Sequence, residues 1–251
     1  MTDGKVFLVG AGPGAPDLLT LRAVRVLERA DVVFYDALVH PETIAIAAAA
    51  ERIAVGKRCG KHSTAQRFIN KRLVDAARKA RVVVRLKGGD PMLFGRAQEE
   101  IAALEAAGVA YEVVPGVTAA LAASAELGIS LTQRGLARSV VFLTPRVGEG
   151  EKPNEWARTA AAGDTAVIYM GAGQGALIAR ALLAQGMPAT TPVMVVENAS
   201  LPGRRQLTLA LRDLPRVADL GMTGPALIMI GHVYAAALAR AAAASGEVRY
   251  A

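Results

Sequence analysis

Short runs of β-branched residues alternate along the chain with stretches of helical periodicity, and this alternation limits the possible folds more than any other feature. Strands are predicted at Val6–Val9, Asp31–Tyr35, Arg52–Val55, Val82–Leu86, Tyr111–Val114, Ser139–Leu143, Thr165–Met170, Val193–Val196, Arg205–Leu209 and Pro225–Ile230. Helical spacing of apolar residues is found around Leu21–Leu27, Phe68–Val74, Ile101–Ala107, Gln174–Ala184 and Val233–Ala244. Such alternation is typical of βαβ units, so the chain is predicted to be α/β with mostly parallel sheets.

The segment Pro115–Thr118 interrupts this series with the sequence Pro-Gly-Val-Thr. It predicts two α/β domains, residues 1–114 and 115–251, which pack closely because no low-complexity linker separates them. Arg205–Leu209 alternates polar and apolar residues and is predicted to be half exposed and antiparallel. Open α/β sheets bind ligands beyond the carboxyl ends of their strands, so functional residues are expected to follow strands.

Composition excludes several classes of protein. Aromatic residues make up only 4% of the 251 residues, which argues against a surface that stacks nucleic-acid bases. The single cysteine, Cys59, cannot form an internal disulfide and fits a reducing compartment. No apolar run is long enough to span a bilayer, and the first residues do not resemble a signal peptide. A cytoplasmic protein is therefore expected, with no nucleic acid or membrane partner. No metal is expected either, because the histidines lack the spacing of metal ligands.

Basic residues are concentrated in two stretches without acids, residues 52–74 and 127–148, in a chain of formal net charge +7. Such stretches either form solvated faces or attract an anionic ligand, and the residues alone leave both interpretations open. The candidates for binding an anionic substrate are Arg58, Lys61, Arg134, Arg138 and Arg146.

A glycine-rich segment, Gly10–Asp17, follows the first predicted strand and satisfies the GxGxxG/A pattern of dinucleotide-binding enzymes. A dinucleotide-dependent oxidoreductase is therefore one candidate. Pro13 and Pro16 argue against it, because a helix that starts inside the glycine motif would be obstructed by the proline rings. The helix is predicted to begin later, with Asp17 or Thr20 as its cap.

Further polar and glycine residues follow other predicted strands. Gly88-Gly89-Asp90-Pro91 and Pro115–Thr118 either bind one ligand together or form ordinary turns. Asp36 and Lys57 each stand at the carboxyl end of a strand. A carboxylate and an ammonium group placed there could transfer protons or form a salt bridge.

Taken together, these segments resemble the uroporphyrinogen-III C-methyltransferase family within the tetrapyrrole-methylase fold. The matching segments include Val9–Gly14, Asp17–Thr20, Tyr35–Val39, Gly56–Ser63, Val84–Pro91, Phe94–Arg96, Val114–Ala119, Tyr169–Gly171, Val196–Asn198 and Pro225–Ile228. They occur in order through most of the chain, and this makes the resemblance far more specific than one glycine motif.

The resemblance implies two domains with a ligand cleft between them, usually in a homodimer, and methylation of two ring carbons of uroporphyrinogen III to give precorrin-2 for siroheme or cobalamin. It implies S-adenosylmethionine as cofactor, with S-adenosylhomocysteine as product. Asp36 matches the family's proton acceptor and Lys57 its proton donor. The positions that match cofactor contacts are Pro13, Gly88, Gly89, Asp90, Leu93, Thr118, Ala119, Met170, Ala199 and Ala226.

The sequence departs from the family pattern at three places. Ser130 and Gln133 replace the family's proline and histidine, Pro145-Arg146 replaces a Gly-His pair, and Ala97-Gln98 replaces a Gly-Gly pair. These changes leave the cofactor motifs intact and bear on the substrate. The alternatives that remain are a methylase of a later corrin precursor, a dinucleotide-dependent oxidoreductase and a non-catalytic nucleotide-binding module.

Overall fold

The computed structural model describes residues 4–55, 66–147 and 155–247, and the chain divides into two compact units, Met1–Ala119 and Ala120–Ala251. The division thus falls a few residues after the boundary predicted between residues 114 and 115. None of the helices in the described ranges is both long and apolar enough to cross a membrane.

The first unit contains one five-stranded sheet. Its elements are β1 (Lys5–Gly10), α1 (Leu21–Glu28), β2 (Val32–Tyr35), α2 (Pro41–Ala45), β3 (Glu51–Ala54), α3 (Gln66–Ala77), β4 (Val82–Lys87), α4 (Ala97–Ala106) and β5 (Ala110–Val114). The strand order is β3-β2-β4-β1-β5, and every neighbouring pair is parallel. The carboxyl ends of all five strands therefore lie at one edge, which we call the first carboxyl edge.

Helices cover both faces of this sheet, which is why its central strands read as continuous apolar runs. Strand β4 shows how the faces are divided. Val84 and Leu86 pack with the residues of α1, whereas Val83 packs with residues of α3 and α4. Arg85 and Lys87 share the α3 and α4 face with Val83, because side chains alternate along a strand.

Helix α1 starts where the proline argument placed it. Pro16 opens a short 3-10 helix, Pro16–Leu18, and α1 follows with Thr20 as its N-cap. The Thr20 hydroxyl accepts a hydrogen bond from the Ala23 backbone N–H at 3.2 Å. Residues 11–15, between β1 and the 3-10 helix, thus form a loop and not the first turn of an α-helix.

The second unit contains a mixed sheet. Its elements are α5 (Ala119–Leu127, beginning at the division), β6 (Val140–Leu143), α6 (Trp156–Ala162), β7 (Thr165–Ile168), α7 (Gly175–Ala184), β8 (Pro192–Glu197), β9 (Arg205–Ala210), β10 (Ala226–Gly231) and α8 (Ala235–Glu247). The order is β6-β7-β10-β8-β9, and only β6 and β7 are parallel. The α/β class is confirmed, while "mostly parallel" describes the first sheet and not the second. The short β8 to β9 connection permits only an antiparallel hairpin, as predicted for Arg205–Leu209.

Candidate functional site

Three loops meet backbone to backbone at the first carboxyl edge. Gly12 and Gly89 exchange two hydrogen bonds, with N to O distances of 3.2 and 2.7 Å. A Cβ atom on Gly116 would lie 2.4 Å from the Gly89 carbonyl oxygen, and one on Gly10 would lie 2.6 Å from the Gly116 Cα. The glycines after β1, β4 and β5 therefore allow the loops to touch where side chains would keep them apart.

Gly89 differs from the other glycines of this contact because it borders open space. Its φ is +71°, a conformation that side chains rarely adopt, and no atom lies within 4 Å of where its Cβ would be. A ligand can approach the backbone closely at such a position. The structure thus provides the backbone opening that the glycine motif predicts, at the edge where ligands of parallel sheets bind.

The Asp90 carboxylate ties two of these loops together. One oxygen accepts the Met92 N–H at 2.8 Å, and the other accepts the Gly116 N–H at 2.9 Å. A carboxylate has about four acceptor positions, so Asp90 keeps capacity for a ligand hydroxyl. Leu93, Thr118 and Ala119 stand in or next to the tied loops.

Asp36 follows β2 at the same edge and is partly buried. Its Oδ1 accepts the Leu38 N–H at 3.0 Å, and its Oδ2 accepts the Gly88 N–H at 3.2 Å. These bonds fix the carboxylate beside the Gly88-Gly89 loop and leave lone pairs free to accept a proton. Lys57, the other member of the predicted catalytic pair, lies outside the described residues.

A buried charge cluster lies beneath this edge. Glu100, on α4, accepts hydrogen bonds from Arg85 Nε at 3.1 Å and from Lys87 Nζ at 2.9 Å, and the three side chains are at most 6% exposed. Burial first, and then the charge of Arg85, lowers the pKa of Lys87, while Glu100 and Asp36 act in the opposite direction. We call Arg85, Lys87 and Glu100 the buried triad.

None of these three residues is predicted to be functional from the sequence. Arg85 and Lys87 alternate with apolar residues, as in a strand with one solvated face, and Glu100 looks like a solvated helix residue. The available signal was the predicted βαβ pattern, because helices then cover both faces of a parallel sheet and leave no solvated face for a charge.

In the second unit, the three residues matched to cofactor contacts lie at one edge of the mixed sheet. Met170 and Ala199 follow the ends of β7 and β8, and Ala226 opens the antiparallel β10 opposite Glu197. The turns there are strained, with φ values of +56° at Met170, +54° at Asn198 and +68° at Ser200. Non-glycine residues in this conformation cluster at ligand sites, although such strain alone identifies no ligand.

A buried carboxylate holds this edge of the second unit in place. Glu197 is 2% exposed and accepts the Thr223 N–H at 2.8 Å and the Gly224 N–H at 2.6 Å. Arg205 Nη1 lies 3.4 Å from the other carboxylate oxygen. The contacts join the chain before β10 to the end of β8.

The predicted substrate-binding cations are not all brought together. Arg146 is exposed and follows β6, at the end where its neighbour β7 leads to Met170. Arg138 precedes β6 and lies at the opposite end of that strand, and Arg134 is exposed in a turn. Arg58 and Lys61 lie outside the described residues. No group of three or more potential metal-binding side chains occurs in the described ranges.

Comparisons with known proteins identify the family of the chain. Residues 5–215 match the family model of Tetrapyrrole (Corrin/Porphyrin) Methylases. Siroheme synthase 1 of Cronobacter sakazakii is 47% identical over 232 residues, which are 92% of this chain and 49% of that protein. Siroheme synthase of Pseudomonas fluorescens is 45% identical over 93% of this chain and 51% of its own length. The chain thus spans about half the length of these relatives.

Solved structures share the fold. Uroporphyrin-III C-methyl transferase from Thermus thermophilus, complexed with S-adenyl homocysteine, matches with a TM-score of 0.82 and 41% identity, over 93% of this chain and all of that one. A cobalt precorrin-4 methyltransferase matches with a TM-score of 0.80 and 29% identity, over 91% of this chain and 95% of that one. The loops at the first carboxyl edge, the matched motifs and the family model lead to one conclusion: the chain belongs to the tetrapyrrole (corrin/porphyrin) methylase family.

Proposed function

We propose that this protein is an S-adenosylmethionine-dependent C-methyltransferase that converts uroporphyrinogen III to precorrin-2 by two methylations. The observation that carries the proposal is the backbone opening at Gly89, which the loops after β1, β4 and β5 form together beside Asp36. The Thermus thermophilus methyltransferase, which binds S-adenosylhomocysteine, supports the same cofactor and product here. Siroheme synthase relatives support a place in siroheme synthesis.

The first unit offers groups that suit S-adenosylmethionine. Gly88 and Gly89 would hold it against the backbone, and the free acceptor positions of Asp90 would take a ribose hydroxyl. Pro13, Leu93, Thr118 and Ala119 complete the proposed contacts of these loops. From the second unit, Met170, Ala199 and Ala226 are proposed as contacts on the strength of the motif resemblance.

The residues of this chain would orient the reactants and transfer protons. The bound cofactor supplies an electrophilic methyl group on a sulfonium, so a nucleophilic pyrrole carbon needs no metal or covalent enzyme adduct. The loops hold the reactants in line, which is catalysis by proximity and orientation. As the new carbon–carbon bond forms and the carbon–sulfur bond breaks, a proton must leave the macrocycle, and Asp36 is proposed to accept it. Lys57 is proposed as the proton donor from the family match alone.

The substrate carries many carboxylates, and exposed arginines give these a partner. Arg146 is the favoured residue, because it lies at the same edge of the second sheet as Met170 and stands where the family has a histidine. Arg58, Lys61 and Arg134 remain proposed contacts, and the position of Arg138 does not favour it. Uroporphyrinogen III is preferred to a later corrin precursor because identity to the C-methyltransferase, 41%, exceeds identity to the precorrin-4 enzyme, 29%.

We propose further that the enzyme is a cytoplasmic homodimer, as the family resemblance implies. Cys59 as the single cysteine fits a reducing compartment. Light scattering of the full chain measures the oligomeric state, and the mass of a monomer at working concentration would contradict the dimer.

Calorimetric titration tests the cofactor half of the proposal. S-adenosylmethionine and S-adenosylhomocysteine are expected to bind, while NAD and NADP give no heat of binding. The helix starts after Thr20, so no helix N-terminus stands inside the glycine motif to meet a pyrophosphate. Tighter binding of NAD than of S-adenosylmethionine would support an oxidoreductase instead.

Gly89→Ala is expected to weaken S-adenosylmethionine binding much more than it weakens folding. The added methyl group would enter the open space, and the positive φ would add about 1 kcal/mol of strain. Gly108→Ala is a matched control, because Gly108 also has a positive φ, +65°, and no atom within 4 Å of its Cβ position. Calorimetry and urea unfolding should show equal stability losses and a loss of affinity in Gly89→Ala alone. Equal affinities in the two variants would contradict a ligand at Gly89.

Arg146→Ala is expected to raise the KM for uroporphyrinogen III and to flatten its salt dependence, with S-adenosylmethionine binding unchanged. An exposed arginine acts mainly on the encounter and orientation of an anionic substrate. The expected rise is about three- to fivefold, because an exposed ion pair contributes about 1 kcal/mol at most. Arg138→Ala removes the same charge at the other end of β6 and serves as the control. An unchanged KM in Arg146→Ala would place Arg146 on a solvated face.

A further inference from the structure

A turn of unusual backbone conformation, Asn198–Ser200, follows β8 in the second unit, and we call it the β8 turn. Its centre is Ala199, one of the proposed cofactor contacts, which is 7% exposed. The residues on either side, Asn198 and Ser200, have φ values of +54° and +68°. A left-handed backbone is uncommon for residues other than glycine and persists only where neighbouring groups hold it in place. The position of Ala199 therefore depends on the contacts that Asn198 and Ser200 make.

The two ends of the β8 turn are anchored to different elements. At its start, the Asn198 N–H donates to the carbonyl oxygen of Pro225, the residue before β10, at 2.9 Å. At its end, the Ser200 N–H donates to Oε2 of Glu126, in the last turn of α5, at 2.9 Å. Asparagine tolerates a left-handed backbone better than serine does, so Ser200 depends more on its anchor.

The location of Glu126 argues against a role in stabilising α5 itself. The carboxyl end of a helix carries a partial negative charge, so an acidic side chain in the last turn is unfavourable there. Arg204, which follows the β8 turn, donates from Nη1 to the Glu126 carbonyl oxygen at 3.3 Å and lies 4.0 Å from its carboxylate. These contacts of Glu126 all lead to the chain that follows β8.

We propose that Glu126 is a positioning residue for S-adenosylmethionine, which keeps Ser200 in the left-handed conformation and so places Ala199 for contact with the cofactor. This inference rests on the proposed function, in which Ala199 is a cofactor contact. Glu126 acts through the backbone of Ser200, to which its carboxylate is bound. The role requires an acceptor oxygen at position 126, and it disappears when residue 200 can adopt a positive φ without strain.

Calorimetric titration of the full chain with S-adenosylhomocysteine tests the inference. Glu126→Ala is expected to raise the Kd about fivefold, the effect of losing one hydrogen bond to a partly exposed carboxylate. Glu126→Gln keeps an acceptor oxygen, so its Kd should stay within about twofold of that of the unaltered protein. In methyl transfer with S-adenosylmethionine as the varied substrate, Glu126→Ala should raise the KM and not lower kcat.

Ser200→Gly provides the second half of the test, because glycine adopts a positive φ readily. In the Ser200→Gly background, Glu126→Ala is expected to change the Kd by less than about twofold. Asp164→Ala is the matched control, since Asp164 Oδ2 accepts the N–H groups of Arg138 and Ser139, both at 2.8 Å, at the opposite edge of the same sheet. It should lose stability toward urea and bind S-adenosylhomocysteine within about twofold of the unaltered protein.

An unchanged Kd in Glu126→Ala, an equal loss of affinity in Glu126→Gln, or a loss that persists in the Ser200→Gly background would overturn the role of Glu126. A comparable loss in Asp164→Ala would show a general loosening of the second unit and would overturn it too. Failure of Glu126→Ala to fold, measured by urea unfolding, would make Glu126 a purely structural residue, with the same consequence. In all these cases the unaltered chain still binds S-adenosylhomocysteine, whereas absence of that binding would contradict the proposed function and this inference together.

Discussion

Replacing Glu100 with glutamine is expected to lower the free energy of unfolding by about 3–5 kcal/mol, because two buried cations lose their shared carboxylate. Arg85 and Lys87 lie 3.1 and 2.9 Å from that carboxylate and have almost no access to water. Urea unfolding at neutral pH measures the loss. Glu112→Gln is the control, since Glu112 pairs with Lys5 but is 34% exposed, and it should cost less than about 1 kcal/mol.

The loss in Glu100→Gln is also expected to depend on pH. Burial already lowers the pKa of Lys87, and removal of Glu100 takes away an interaction that raises it. Between the lowered pKa of Lys87 and the ordinary lysine pKa, the unfolded chain then binds more protons than the folded chain, so stability rises with pH in that range. The difference between the variant and the unaltered protein should therefore shrink as the pH rises toward the ordinary pKa of lysine. A difference that is constant over this range would contradict the buried charge of Lys87.

Asp36→Asn is expected to lower kcat by about 100-fold or more, because it removes a proton acceptor while keeping its volume. Asparagine has one carbonyl oxygen, so one of the two bonds from Leu38 and Gly88 is lost, at about 1 kcal/mol of stability. The affinity for S-adenosylmethionine should change little. Steady-state rates and calorimetry on the same preparation separate the two effects.

The control for Asp36→Asn is Asp31→Asn, at the other end of the same strand. Asp31 Oδ2 also accepts two backbone N–H groups, from Arg81 at 2.9 Å and Val82 at 2.8 Å. Asp31→Asn should lose less stability than Asp36→Asn, because one amide oxygen can accept both N–H groups. It should keep its kcat, because Asp31 lies away from the first carboxyl edge. Equal kcat values for the two variants would make Asp36 only a structural anchor of the loop.

Much of the fold could be predicted because local patterns and burial agree. All ten predicted strands are present, with ends that differ by at most two residues, and Thr20 caps α1 as expected. Helix α5, Ala119–Leu127, went unassigned because its alanine-rich sequence shows little amphipathic contrast. Apart from the antiparallel Arg205–Leu209, the direction of the strands in the second sheet was out of reach, since it depends on long-range pairing and not on local periodicity.

The candidate site was predictable where backbone geometry requires a residue type. Position 89 requires glycine because its φ is positive, and position 116 requires glycine because the Gly89 carbonyl oxygen approaches it closely. Both glycines belong to motifs that can be recognised in the sequence. The buried triad does not stand out in the sequence, because Lys87 and Glu100 meet only after α4 packs on β4. Tertiary contacts, and not spacing along the chain, decide which charges are buried.

Mass analysis of the product is the most direct test of the proposed methyl transfer to uroporphyrinogen III. The full chain is incubated anaerobically with uroporphyrinogen III and S-adenosylmethionine, and both the macrocycle and S-adenosylhomocysteine are measured. We expect a macrocycle that gains two methyl groups, with one S-adenosylhomocysteine released for each methyl group. A macrocycle of unchanged mass, with a later corrin precursor methylated in parallel, would contradict the proposed substrate, and no methylation of either would contradict the enzymatic function.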